Sequence, residues 1–233
     1  MKITSAKDIK NPSALRILYA NPGIGKTSTI QYMPGKKLVI DIDGTSSVLK
    51  GLPNIDIVQI SDPENIKEEL PKLLKEIKET TDYDSIALDN ISEMESSILN
   101  EFCKKGNNHG VPGIQNYQQL QFYELDMLRY LKTFKKQILV TAWEQTDDYV
   151  EESTGQSFTR SYPQIRKPIL QNIMGLTLQV GRLIVSPKDK KRYVMLSPTN
   201  SVFAKNQIDN REFCLQEELF KDAETKTVPK KAS

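Results

Sequence analysis

A phosphate-binding loop is the sequence feature whose chemistry is clearest. Residues 20–27, Ala-Asn-Pro-Gly-Ile-Gly-Lys-Thr, match the pattern G-x-x-x-x-G-K-[ST] at every fixed position except the first, where Ala20 stands in place of Gly. The loop follows a β-prone run and precedes a short segment that is predicted to be helical, as the motif requires. The pattern predicts a nucleotide site, with these cofactor-binding residues: Asn21, Pro22, Gly23, Ile24, Gly25, Lys26, Thr27 and Ser28.

The groups in this loop have distinct expected roles. Consecutive backbone N–H groups surround an anionic phosphate, and Gly25 permits its close approach. Lys26 is expected to reach the β- and γ-phosphate oxygens of ATP, and Thr27 to give its hydroxyl to Mg²⁺. The alternative is a turn that binds nothing, and Ala20 weakens the match because a β-carbon restricts the backbone there.

A second acid for the metal is predicted at Asp89, which ends the apolar run 85–89. A carboxylate at the tip of a buried strand is costly unless it is paired or binds a metal. Asp89 is therefore the predicted partner of Thr27 at Mg²⁺. The alternative is that Asp89 caps a helix beginning near Ile91.

A third acid, Asp43, follows the strand predicted over 38–43. It is the candidate catalytic base that orients and deprotonates the attacking water. The alternative is a turn residue before Gly44. Asp41, two residues earlier, is expected on the opposite face of the strand, away from this chemistry.

Strands alternating with amphipathic helices predict an α/β fold with a mostly parallel sheet flanked by helices. The last third predicts a short helix followed by antiparallel strands, and residues 144–162 predict a protruding hairpin or a mobile loop. We expect a single domain over residues 1–220 and a disordered basic tail over 221–233.

Composition narrows the class of protein. The 233 residues carry a net charge of +2, so a nucleic-acid partner must be held by local basic patches, summed over subunits where several assemble. Cys103 and Cys214 give no disulfide framework, and His109 as sole histidine leaves little scope for a metal or triad site. No apolar run predicts a membrane span or a signal peptide, which favours a cytosolic protein.

The order of motifs resembles a known family. The chain carries, in succession, Y-A-N-P-G-I-G-K-T-S, L-V-I-D-I-D-G, D-Y-D-S-I-A-L-D-N-I-S-E, I-L-V-T-A-W-E and V-F-A-K-N-Q. Over roughly residues 13–210 it is similar to small phage-encoded RecA-like ATPases of the AAA-domain nucleotide-binding type, some of which are single-strand annealing recombinases. The resemblance implies a RecA-like P-loop core, ATP and Mg²⁺ as cofactors, slow ATP hydrolysis and residence in the host cytoplasm.

The same resemblance implies partners and further site residues. The expected partners are single-stranded DNA, copies of the same chain with nucleotide at the subunit interfaces, and a phage single-strand-binding protein; no membrane is expected. In RecA-like proteins the base is usually Glu, so Asp43 predicts slow water activation. The γ-phosphate sensor is either Thr141 or Glu144. Lys205 is expected to reach a neighbouring subunit's nucleotide.

The position of the DNA-binding loop in RecA-like proteins corresponds to residues 144–162, whose net charge is −4. That charge disfavours phosphate contact, so the candidate DNA-binding residues lie at the base of the loop: Arg160, Arg166 and Lys167. Lys104 and Lys105, which flank a glycine-rich loop, are the other candidates. A solvated surface would also explain all these charges.

The leading hypothesis is an ATPase that assembles on single-stranded DNA and promotes strand annealing. A DNA motor or helicase-associated ATPase is the alternative within the same class. A small-molecule P-loop kinase is the alternative from another class, although it needs a lid with several arginines and the arginines of this chain are scattered.

Overall fold

The computed structural model describes residues 5, 13–60, 62, 65–80, 82–106 and 110–221. His109 and residues 222–233 of the expected disordered tail lie outside the described residues.

The strands form one mixed sheet. Within the described part of the chain their bounds are β1 Ala14–Ala20, β2 Lys37–Asp41, β3 Ile55–Gln59, β4 Ser85–Asp89, β5 Gln137–Val150, β6 Ser157–Pro163, β7 Gln179–Val185, β8 Arg192–Met195, β9 Lys205–Asn206 and β10 Phe213–Leu215.

Four α-helices connect these strands: α1 Ile66–Thr80, α2 Ile91–Lys105, α3 Ile114–Lys132 and α4 Lys167–Leu176. Among the described residues, short 3₁₀ segments accompany them at Thr27–Tyr32, Ser46–Leu49 and Gln216–Glu218. Pro71, which predicts a kink or a split, lies inside α1 without splitting it. Among the described residues, no helix combines the length and the apolar character that crossing a bilayer would take.

The strand order is β10-β8-β7-β1-β5-β4-β2-β3. The run from β7 to β3 is parallel, whereas β8, β9 and β10 add in antiparallel fashion at the other side. The predicted α/β architecture, mostly parallel with antiparallel strands at the end, is confirmed. Because parallel strands share their carboxyl edge, the ends of β1, β2, β4 and the apolar part of β5 meet at one edge.

The side chains of β1 alternate between two apolar cores. Ile17 and Tyr19 face the larger core, to which all four α-helices contribute, whereas Leu18 and Ala20 face the smaller one. The smaller core is covered by the first two 3₁₀ segments and by the C-terminal strands. The C-terminal segment therefore packs on the same side of the sheet as the segment that follows the P-loop.

The strand β5 continues beyond the sheet and pairs with β6 in an antiparallel hairpin, with Glu144 opposite Pro163 and Val150 opposite Ser157. Of the two forms predicted for residues 144–162, the structure has the hairpin.

Candidate functional site

The P-loop leaves the carboxyl end of β1 and turns back into a 3₁₀ segment that begins at Thr27. Gly23 and Gly25 have φ angles of +80° and +110°, a backbone region that residues with a β-carbon rarely adopt. The glycines at these two positions are thus required by the loop's shape. The segment after the loop differs from an α-helix because its turns are closed by tighter bonds, such as Met33 N–H to Ile30 O at 3.0 Å.

The side chain of Lys26 is folded into the loop. Its Nζ donates hydrogen bonds to the backbone oxygens of Ala20 at 3.0 Å and Asn21 at 3.2 Å. Burial lowers the pKa of this ammonium, and the nearby carboxylates of Asp89, Asp43 and Glu144 partly offset that effect. A cation held in this way, with neutral oxygens as its hydrogen-bond partners, is suited to an anionic ligand.

Asp89 is 1% exposed at the end of β4. Its Oδ1 accepts a hydrogen bond from the Thr141 hydroxyl, whereas its Oδ2 is buried and has no hydrogen-bond partner among the described residues. Burial raises the pKa of this carboxyl, and the hydroxyls of Thr141 and Thr27 act in the opposite direction. An orphaned carboxylate oxygen beside the Thr27 hydroxyl fits a hard divalent cation such as Mg²⁺.

The N-cap of α2 is Asn90 and not Asp89. The Asn90 side-chain oxygen accepts a hydrogen bond from the Glu93 backbone N–H at 2.7 Å. The alternative that Asp89 caps this helix is therefore wrong. The cap leaves Asp89 directed into the site, next to the P-loop.

Asp43 lies in the turn after β2, and both its oxygens are held. Oδ1 accepts from the Thr45 hydroxyl at 2.6 Å and backbone N–H at 3.1 Å, and Oδ2 accepts from the Asn90 amide at 2.5 Å. The Thr45 hydroxyl lies 3.4 Å from the Thr27 hydroxyl. These contacts link the candidate base to the candidate metal residue and to the start of α2.

Asp41 was expected on the opposite face of the strand from Asp43, and this expectation is wrong. Its Oδ1 accepts from the same Thr45 backbone N–H, at 3.2 Å, and its Oδ2 accepts from the Gln59 amide at 3.1 Å. The reason is that strand side chains alternate from one residue to the next, so Asp41 and Asp43, which are two positions apart, point to the same side. Asp41 holds this turn and the neighbouring strand β3 in place.

Glu144 marks the point where β5 leaves the central sheet. It accepts two hydrogen bonds from Arg182, at 3.0 and 2.7 Å, and one from the Ser161 hydroxyl at 3.0 Å. Thr141 instead contacts Asp89 directly. Of the two candidate sensors, Thr141 lies against the metal residue, while Glu144 joins the site to the hairpin.

Comparison with known proteins agrees with this geometry. The AAA-domain family matches residues 14–208, which is most of the chain. The chain belongs to the AAA-domain family. Among solved structures, the crystal structure of the RadB recombinase is 15% identical, with a TM-score of 0.47 over 78% of this chain and 79% of that one. A comparison with curated proteins gives no match. The assignment rests on the family match and not on the structural likeness.

Membership of a P-loop AAA family implies nucleotide binding by this domain. The residues around the loop fit such a ligand, since they combine a buried ammonium, an unpartnered carboxylate oxygen and two glycines with positive φ. Thr27 and Asp89 are the residues that would hold a metal ion. Lys26, Thr27 and Asp89 lie together at one edge of the sheet, while their roles toward a nucleotide and a metal ion stay predictions.

Lys205 lies on β9, paired with Val180 of β7. Its Nζ donates to the backbone oxygens of Met174 at 2.9 Å and Thr177 at 2.8 Å, at the end of α4. Burial and the nearby Lys132 lower its pKa. A contact with a neighbour's nucleotide, which stays a prediction, requires release from these two carbonyls.

Arg160 and Lys167 each have a partner within the AAA domain. The Arg160 Nε donates to the Asn200 backbone oxygen at 3.2 Å, and its guanidinium lies 3.2 Å from the centre of the Tyr149 ring. Lys167, at the start of α4, forms an ion pair with Asp147 of the hairpin. The acidic hairpin thus neutralises part of the basic charge at its own base.

Arg166 lines a polar cleft of about 470 Å³ between α2 and the base of the hairpin. It stacks over Tyr117 at 4.1 Å and lies 3.8 Å from the Glu95 carboxylate. Burial raises the pKa of Glu95 to about 7, an effect that Arg166 partly offsets. Glu124, fully buried nearby, has its pKa raised by burial and by the charge of Glu95.

Lys105 lies at the end of α2, where its Nζ contacts Glu101 at 2.9 Å and Asn65 at 2.8 Å. Lys104 precedes it in the last turn of the same helix. Both lie on a different element from Arg160, Arg166 and Lys167, so the five DNA candidates come from two places in the fold.

Four side chains near the site were not foreseen. Asn90 is followed by Glu93, a spacing typical of helix starts, so its cap was readable from the sequence. Arg182, Arg192 and Gln216 carry no local signal, because they reach Glu144, Ile24 and Gly25 across the fold.

We expect Asp89→Asn to raise the melting temperature of the ligand-free AAA domain. The raised pKa means that the folded state disfavours the ionised carboxyl, so stability falls as pH rises from the unfolded pKa toward the folded one, and a neutral isostere avoids this loss. Relieving about 1 kcal/mol corresponds to roughly 2–4 °C. Mg²⁺-dependent nucleotide binding should weaken in the same variant. Calorimetry with and without Mg-ADP measures both, and a lower melting temperature would contradict the prediction.

Proposed function

We propose that this AAA domain is a phage-encoded RecA-like ATPase that assembles on single-stranded DNA and promotes the annealing of complementary strands. The observation that carries the proposal is the convergence of Lys26, Thr27, Asp89 and Asp43 at one edge of a parallel sheet. These are the groups that ATP hydrolysis needs: a phosphate-binding cation, two metal ligands and a proton acceptor.

The catalytic roles follow from the contacts. Bound ATP supplies the phosphoanhydride that is cleaved. The P-loop amides and Lys26 hold the phosphates, while Thr27 and Asp89 hold the metal ion. Asp43 accepts the proton of the attacking water, and its bonds to Thr45 and Asn90 fix the direction of its oxygens. Thr141 is the better sensor candidate because it contacts Asp89.

Assembly into a homo-oligomer would place Lys205 at a neighbour's nucleotide. In support, Lys205 and Lys132 bind three carbonyls in the last turn and C-cap of α4, from Met174, Thr177 and Leu176. The two ammonium groups repel each other, since Lys132 lowers the pKa of Lys205. An anionic ligand across the interface would bind Lys205 more strongly than these neutral carbonyl oxygens do.

Single-stranded DNA binding is supported by the cleft at the hairpin base. Arg166 and Lys167 line it, and each is paired with an acid, Glu95 or Asp147. A phosphate must displace these acids, so one subunit would bind weakly. Several subunits in a row would add their contacts along one strand, which makes DNA binding depend on assembly.

A small-molecule kinase is less well supported because its lid arginines would have to be available. Arg182 is paired with Glu144, Arg192 contacts the P-loop backbone, and Arg160 stacks on Tyr149.

Annealing and motor activity are separated by experiment: annealing of complementary oligonucleotides requires no directional movement, whereas a motor displaces a paired strand during hydrolysis.

Lys26→Ala should weaken ATP binding by about ten-fold or more. One charge-assisted contact contributes on the order of 1.5–3 kcal/mol, and the side chain removed is outside the apolar core. The matched control is Lys36→Ala, which removes a surface ion pair with Asp56 at 3.0 Å and should leave ATP affinity unchanged. Titration calorimetry measures both. Equal affinity in the Lys26 variant would remove the P-loop assignment.

Asp43→Asn should retain ATP binding and slow hydrolysis by about 10²–10⁴-fold, because the amide keeps the size but lacks a basic oxygen. Asp43→Glu restores the acid usual in RecA-like proteins and should hydrolyse ATP at least as fast as the unaltered chain. Single-turnover hydrolysis with ATP affinity measured in parallel tests both. Unaltered hydrolysis in Asp43→Asn would make Asp43 a turn residue only.

An Arg160/Arg166/Lys167 triple-alanine variant should bind single-stranded DNA more weakly, with a shallower dependence on salt. Fluorescence anisotropy at several salt concentrations, with and without ATP, measures this. Lys205→Ala should weaken DNA binding only when ATP is present, because it acts through assembly. A chain that stays monomeric with ATP and binds no single strand at low salt would contradict the recombinase proposal.

Glu95→Gln is a further variant for the same experiment, and we expect it to bind single-stranded DNA more tightly. Because the pKa of Glu95 is raised to about 7, its negative charge on Arg166 grows as pH rises through 7. Binding by the unaltered chain should strengthen as pH falls through this range, whereas Glu95→Gln should bind more tightly at pH 8 and lose this pH dependence.

A further inference from the structure

Two side chains from the C-terminal segment bind the P-loop backbone. The Arg192 Nε on β8 donates to the Ile24 oxygen at 2.7 Å. The Gln216 Nε2, in the last 3₁₀ segment, donates to the Gly25 oxygen and to the Thr29 hydroxyl, both at 2.8 Å. These residues lie 168 and 191 positions from their partners in the P-loop.

Because each peptide unit is planar, these two contacts also determine the direction of the backbone N–H groups that follow. In a trans peptide unit the carbonyl of one residue and the N–H of the next point in opposite directions across a rigid plane. Holding the Ile24 carbonyl therefore sets the direction of the Gly25 N–H. Holding the Gly25 carbonyl sets the direction of the Lys26 N–H, and these two amides belong to the phosphate-binding part of the loop.

The loop has a local need for such support. Gly25 has a φ of +110° and no side chain, so its flanking peptide planes rotate more freely than those of other residues. The Gly25 oxygen also accepts from the Thr29 N–H at 3.2 Å and hydroxyl at 3.1 Å. Gln216 binds both members of this pair.

Arg192 and Gln216 also pack closely against the P-loop. A β-carbon at Gly25 would lie 3.0 Å from the Arg192 Nε, so the arginine covers the loop closely at this residue. Gln216 is 6% exposed, and its amide is directed to two acceptors. Strand pairing anchors both side chains, because Arg192 begins β8 and Gln216 directly follows β10.

We propose that Arg192 and Gln216 are positioning residues for the nucleotide phosphates, holding the carbonyls of Ile24 and Gly25 so that the amides of Gly25 and Lys26 point toward the phosphate. Nucleotide affinity then depends on the C-terminal strands as well as on the P-loop. This inference rests on the proposed nucleotide binding and adds the residues that prepare the loop for it.

Gln216→Glu is the sharpest test, because it keeps the shape and replaces the donor by an acceptor facing the Gly25 oxygen. Gln216→Met, which keeps the length and has no donor, is the milder variant in case the first fails to fold. Tyr193→Phe is the matched control, since it removes a hydrogen bond from β8 to Asp189 at 2.9 Å. The probe is Mg-ADP, with affinity from calorimetry and melting temperature from the ligand-free protein.

We expect both Gln216 variants to bind Mg-ADP about ten-fold more weakly or worse, equivalent to ~1.4 kcal/mol, while Tyr193→Phe binds as the unaltered chain does. The ligand-free melting temperature of Gln216→Met should match that of Tyr193→Phe. In ¹⁵N-labelled protein, the amide signals of Gly25 and Lys26 should shift with ADP in the unaltered chain and shift less in the variants. Arg192→Ala should weaken binding in the same way.

Three results would overturn the inference. Unaltered ADP affinity in both Gln216 variants would remove the positioning role. A second result concerns a Gln216 variant that binds ADP more weakly and also melts at a lower temperature. If its two amide signals still shift as in the unaltered chain, Gln216 is a structural residue only. An unaltered chain that binds no ADP would overturn the proposed function itself, and this inference with it.

Discussion

A buried cation in the P-loop and a buried carboxylate at the end of β4 are the constraint on which the rest of the site depends. Burial lowers the pKa of Lys26 and raises that of Asp89, so desolvation opposes the charged form of each group. Their mutual attraction offsets this cost only in part, since Asp89 Oδ2 keeps no hydrogen-bond partner among the described residues. A ligand that carries both an anion and a metal ion would meet the remaining electrostatic demand.

The parallel sheet makes this arrangement possible. β5 lies between β1 and β4, which places Thr141 between the P-loop and Asp89. The same strand then continues out of the sheet, so Glu144 connects the nucleotide site with the hairpin through Ser161 and Arg182. Tyr19 adds a second link, because its hydroxyl donates to the Ser161 backbone oxygen at 3.0 Å.

The parts of the site that the sequence predicted are those whose signal is local. The P-loop and Asp89 are recognisable from a few consecutive residues at a strand end, and the alternating strands and helices predicted the sheet. Asp41 was misplaced because side chains two positions apart on a strand share a face, so that it should have been expected beside Asp43. Arg192 and Gln216 had no local signal, since their partners lie more than 160 residues away. Contacts of that kind follow from the order of strands and not from spacing.

On the proposed function, the basic residues at the hairpin base would let an almost neutral chain recognise a polyanion. Lys167 and Arg166 are each held by an acid, which keeps a single subunit from binding stray phosphate strongly. A strand of DNA offers many phosphates at fixed spacing, so the cost of displacing each acid would be shared among subunits. The two acids belong to the hairpin and to α2, and both elements begin beside the candidate nucleotide site. The state of the P-loop can therefore influence how readily Arg166 and Lys167 are released from these acids. Selectivity for assembled subunits over an isolated one would then follow from the pairing of charges, without any large net charge on the chain.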